Sequence, residues 1–151
     1  MIFALTDRLQ ELVRRKHACV SQLFALGQQQ CEVVDGGDVN DLLRILGAKQ
    51  VLIGTLQEIE KLLEPYRHDD PESRSWRSPA DRETCAQLVA QCDLLYRALL
   101  ENERRSEQRL SARRDDAAAR LYEVHAAHEV RGAYFPAPLE NHGTLDLMSE
   151  A

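Results

Sequence analysis

The sequence predicts an all-α protein: an antiparallel helical hairpin plus a long third helix, forming an elongated three-helix bundle with coiled-coil-like packing and a disordered C-terminal tail. Three observations predict it. Apolar residues recur in alternating steps of three and four, strand-forming runs are nearly absent, and clustered glycines and prolines cut the chain into three helical segments.

The first segment covers about residues 6–34, with a seam of Leu5, Leu9, Leu12, Cys19, Leu23 and Leu26 in which Lys16 and Gln30 fill the remaining places. Thr6 is positioned to cap its start. Asp35-Gly36-Gly37-Asp38 ends it, because paired glycines tolerate positive φ. Asp38 caps a second helix over residues 39–64, with a cleaner seam of Leu42, Ile45, Lys49, Leu52, Leu56, Ile59 and Leu63. A second row of Leu43, Leu46, Ile53 and Leu62 widens that stripe, which implies more than one packing neighbour. Lysines at seam positions are expected to run their stems along the apolar surface and hold their ammonium groups in water. Pro65 ends this helix, and the polar stretch 67–78 reads as a mobile loop.

Ser78-Pro79 restarts a helix with a capping serine and a first-turn proline. No glycine or proline follows until Gly132, so an unbroken helix over 80–131 would be roughly 78 Å long, against roughly 40–45 Å for either of the first two. Cys85, Leu88, Cys92, Leu95 and Leu99 give its first half a core face. From residue 101 to 116 the chain reads ENERRSEQRLSARRDD, and beyond it only a shallow stripe returns at Leu110, Ala117, Leu121, Val124 and His128. The first half is therefore expected to complete the bundle, and the second either to extend past it or to fold back. The domain reading is one helical bundle over 1–131 and a tail over 132–151 whose Tyr134, Phe135, Leu139, Leu145, Leu147 and Met148 are either ordinary terminal sequence or a binding segment.

Composition narrows the function. A net charge of −6 and only 5% aromatic residues argue against nucleic-acid binding, which needs basic surface and stacking platforms. No apolar run approaches the roughly 18 residues of a membrane span, and no leader pattern precedes the acidic Asp7 and Glu11, so a cytoplasmic location is expected. The four cysteines form no C-x-x-C pair and read as reduced thiols. Catalytic patterns are not found: His17 lies two residues from Cys19, which on a helix points it elsewhere, and neither a phosphate loop nor a nucleophile elbow occurs. His125 and His128 sit one turn apart beside Glu129 without a third ligand nearby in sequence, which favours a solvated helix face over a metal site. The expectation is a protein without enzymatic activity or cofactor that binds other protein chains.

The leucine seam of the first segment, the turn Gly36-Gly37-Asp38 and the run Asp41-Leu42-Leu43-Arg44-Ile45-Leu46-Gly47-Ala48-Lys49-Gln50-Val51-Leu52-Ile53 resemble the FlgN-type flagellar export chaperones over about residues 5–131. The resemblance implies a cytosolic chaperone of type III export that holds C-terminal helical segments of hook–filament junction proteins and delivers them to the export gate. It also implies that the partner-binding region is 110–130, with Leu121, Tyr122 and Val124 as anchors beside Leu110, Ala117 and His128. The alternative from the same residues is a structural coiled coil that dimerises along the third helix, or a helical adaptor without chaperone activity.

Overall fold

In a computed structural model of the chain, residues 2–134 are described. Three helices account for most of them: α1 (Ala4–Val34), α2 (Val39–Arg67) and α3 (Pro79–Tyr134), with a short 3-10 turn at Pro71–Ser73 before α3. No strand occurs among the described residues. The all-α three-helix architecture expected from the periodicity is the one observed. The chain divides into two compact units, Met1–Arg109 and Leu110–Ala151, and α3 contributes residues to both.

In the first unit α1 is the central helix, and the contacts define an up-down-up order. Along α1, Leu9 clusters with Leu63 and Cys85, Cys19 donates to the Leu52 carbonyl at 3.2 Å, and Cys31 lies 3.2 Å from the Ser106 hydroxyl. Partner numbers therefore fall along α2 and rise along α3. The seam residues Leu9, Leu12, Cys19 and Leu23 are buried as expected, whereas Leu5 is 70% exposed at the helix start. A second α1 stripe, Thr6, Val13, Val20, Gly27 and Val34, recurs every seven residues and is also buried, so α1 packs against two neighbours at once. On α2, the seam residues Ile45, Lys49, Ile59 and Leu63 are buried, while Leu52 and Leu56, in the middle of the same seam, are partly buried and pack against the core.

Several boundaries differ from the sequence reading. Thr6 does not cap α1, which begins at Ala4; its hydroxyl donates instead to the Ser75 carbonyl at 2.8 Å. That contact is one of several that fix the segment expected to be mobile. Arg77 forms a bidentate pair with Asp7 at 2.8–3.1 Å and lies over the Phe3 ring, and Arg74 donates to the Tyr66 carbonyl at 2.6 Å. The Arg77 guanidinium holds the Asp7 carboxyl below its ordinary value. Pro65 does not stop α2 either. The helix runs on to Arg67, which bonds Glu60 and Glu64, while Tyr66 packs on the core, and these contacts outweigh the one backbone hydrogen bond that proline removes.

The α1–α2 turn needs a glycine for space rather than for positive φ, which no described glycine adopts. The Gly37 amide donates to the Val33 carbonyl at 2.7 Å, and a Cβ at Gly37 would sit 2.8–2.9 Å from Val33 atoms. Asp38 caps α2 as expected, accepting from the Asn40 amide at 3.0 Å, and the Ser78 hydroxyl accepts from the Asp81 amide at 3.1 Å at the start of α3. Gly132 does not end α3, which continues to Tyr134. One glycine costs a helix only about 1 kcal/mol, and a stop requires a capping turn as well. Of the proposed tail, residues 135–151 lie outside the described residues.

Candidate helix-docking surfaces

Two apolar surfaces stand out, one in each unit. In the second unit, the predicted partner-binding residues lie on α3. Leu110 is half-buried, whereas Ala117, Leu121, Tyr122, Val124 and His128 are exposed, Leu121 at 71%, Tyr122 at 75% and Val124 at 67%. At 100° per residue, Leu110, Ala117, Leu121, Val124 and His128 share one face, with Tyr122 turned off its edge. The face is bordered by charge that is internally paired: Arg120 bonds Asp116 at 2.9 Å and His125 bonds Glu129 at 3.2 Å. His125 thus has a carboxylate partner on its own helix, and no cluster of three or more potential metal ligands occurs among the described residues.

In the first unit, a groove of about 1100 Å³ runs between α2 and α3, with α1 as its floor. Val20 and Leu23 form the base, Leu46, Ile53 and Leu56 the α2 wall, and Tyr96 and Leu99 the α3 wall. The second row noted on α2 in the sequence thus faces a groove at Leu46 and Ile53 rather than a further helix of the chain, and Leu43 and Leu62 are exposed. Sequence reasoning found this row but not its partner wall on α3, where Tyr96 is also exposed. The signal was present: Val89, Asp93, Tyr96, Leu100 and Glu103 follow steps of four and three, one position ahead of the core seam.

Two ion pairs tie the groove walls. Lys16 of α1 reaches Glu60 of α2 at 2.8 Å. Lys49 of α2 pairs with Glu103 of α3 and donates to the side-chain amide oxygen (Oε1) of Gln30 at 2.6 Å. Lys49 is only 6% exposed, so its ammonium does not extend to water as the sequence suggested. Burial pushes its pKa below the ordinary value. The cysteines are all free thiols. Burial pushes Cys19, Cys85 and Cys92 up, which keeps them protonated at neutral pH and lowers their nucleophilicity.

No family model, curated protein or solved structure matches this chain. No helix among the described residues is long and apolar enough to cross a membrane.

Proposed function

We propose that this protein is a cytosolic export chaperone of the FlgN type, which holds the C-terminal helical segments of flagellar hook–filament junction proteins and delivers them to the type III export apparatus. The observation that carries the reading is the apolar face at Leu121 and Val124, exposed on a helix that presents alanines between its larger side chains. Small residues let a second helix approach closely while leucine and valine act as knobs. An amphipathic client helix would lie along this face. Burying one leucine on binding is worth roughly 1.5–3 kcal/mol, about tenfold to over a hundredfold in affinity. The resemblance carried by residues 36–53 supplies the class of client and the export route.

The test is Leu121→Asp with Val124→Asp in the full-length protein. Both side chains are exposed, so the melting temperature should stay near that of the wild type while capture of purified junction-protein C-terminal segments is lost. Capture at wild-type affinity would place the client elsewhere. The heptad spacing of the same face also favours a second reading, a structural coiled-coil dimer. Light scattering separates the two: a dimer in the absence of client that dissociates in the double variant supports the structural reading.

A further inference from the structure

The groove in residues 1–109 has the geometry of a four-helix bundle lacking one helix. α2 carries two heptad-spaced seams. One, with Ile45, Lys49, Ile59 and Leu63, is buried against the bundle, and the other, one residue ahead, runs Leu43, Leu46, Gln50, Ile53 and Gln57. α3 repeats the arrangement, with Val89, Asp93, Tyr96, Leu100 and Glu103 one residue ahead of its own core seam. A one-residue offset turns a seam by about 100°. Because α2 and α3 are antiparallel, equal offsets turn their second seams toward each other, and the groove lined by Leu46, Ile53 and Tyr96 lies where they converge. Paired seams of period 3.5 form holes for the knobs of a helix. From Leu43 to Lys61 they run roughly 27 Å, or five turns.

Charge defines the edges of the occupant. Lys49 pairs with Glu103 across the antiparallel α2 and α3, so Glu60, eleven residues on along α2, is level with Cys92, eleven residues back along α3. Lys61 on the α2 wall and Asp93 on the α3 wall therefore face the same level of the groove, and neither forms an ion pair among the described residues. The other lining charges, Lys16 with Glu60 and Lys49 with Glu103, neutralise each other. We infer that this groove docks an amphipathic helix of another protein, with an aliphatic face, an acidic edge over Lys61 and a basic edge over Asp93. The site is separate in sequence from the 110–128 face and does not rest on its assignment.

The experiment uses the full-length protein and three synthetic five-turn helical peptides that share a Leu/Ala face. One carries glutamates on one edge and lysines on the other, the second glutamates on both, and the third lysines on both. The mixed-edge peptide should bind about two- to fivefold more tightly than either uniform one, the scale of one exposed ion pair. Asp93→Lys should transfer the preference to the all-glutamate peptide. Leu46→Asp with Tyr96→Asp, both lining the groove at exposed positions, should weaken all three by at least about tenfold while melting temperature holds. Leu121→Asp with Val124→Asp should leave peptide binding unchanged, so failure of the client reading and failure of this one are told apart. Indifference to the groove variants, loss of binding in the 121/124 variant instead, or a peptide-resistant dimer with its exchange-protected interface on Leu46 and Tyr96 would each overturn the inference.

Discussion

Lys49 is where side-chain chemistry departs furthest from what residue type suggests. Lysine is rarely buried unless paired, and here a carboxylate and an amide oxygen surround it. Desolvation lowers its pKa from the ordinary 10.5, so the charged form costs stability at neutral pH, and the cost fades as pH rises through the lowered pKa. Removing the lysine alone should nonetheless destabilise the fold, because Gln30 is 4% exposed and its side-chain amide oxygen would be left without a donor. Lys49→Met is therefore expected to cost about 1–3 kcal/mol in urea unfolding, and adding Gln30→Leu should recover most of it. Additive losses in the double variant would show that the pair is not the source of the cost. The sequence placed Lys49 on the seam but could not place its ammonium, because the partners come from residues 30 and 103, on two other helices.

At the scale of elements, α2 carries two interior glycines, Gly47 and Gly54, and a Cβ built at either meets nothing within 4 Å. Neither has positive φ, so alanine fits the backbone. Gly47→Ala and Gly54→Ala should each stabilise the protein by about 1 kcal/mol, read as a rise in denaturation midpoint at unchanged m-value, and a fall would mean that the helix relies on a bend there. The core seams of all three helices were legible because apolar period 3.5 survives single substitutions such as Cys19 and Cys92. The second α1 stripe was harder to read, since Thr6 and Gly27 interrupt Val13, Val20 and Val34. Two ends of elements were misread because side-chain contacts decided them: Thr6 donates to the Phe3 and Ser75 carbonyls instead of capping α1, and Arg67, paired with Glu60 and Glu64, carries α2 past Pro65.

At the scale of the whole molecule, the open question for stability is where packing on α3 stops. Apolar periodicity placed the end near Leu99, but contacts continue to Arg109 through polar groups: Cys31 with Ser106, which is 1% exposed, and Arg109 with Asp35 at 3.1 Å. Such contacts leave no hydrophobic pattern, so the sequence could not show them. From residue 112 to 133 every described residue is exposed except Ala126, which is half-buried. That stretch is held by local helix propensity and by pairs such as Arg120 with Asp116, each worth only about 0.2–0.5 kcal/mol. Helix residues 85–106, by contrast, open only with the bundle, at a cost of about 5–15 kcal/mol for a domain of this kind. Native-state hydrogen exchange on the full chain should therefore show amides 112–131 exchanging at least about a hundredfold faster than 85–106, with the break near Arg109 rather than Leu99. Protection of 112–131 should rise when a purified junction-protein helix is added. Uniform protection along α3 in the absence of any client would mean that its exposed face is already covered by a second chain, and it would favour the structural dimer over the chaperone.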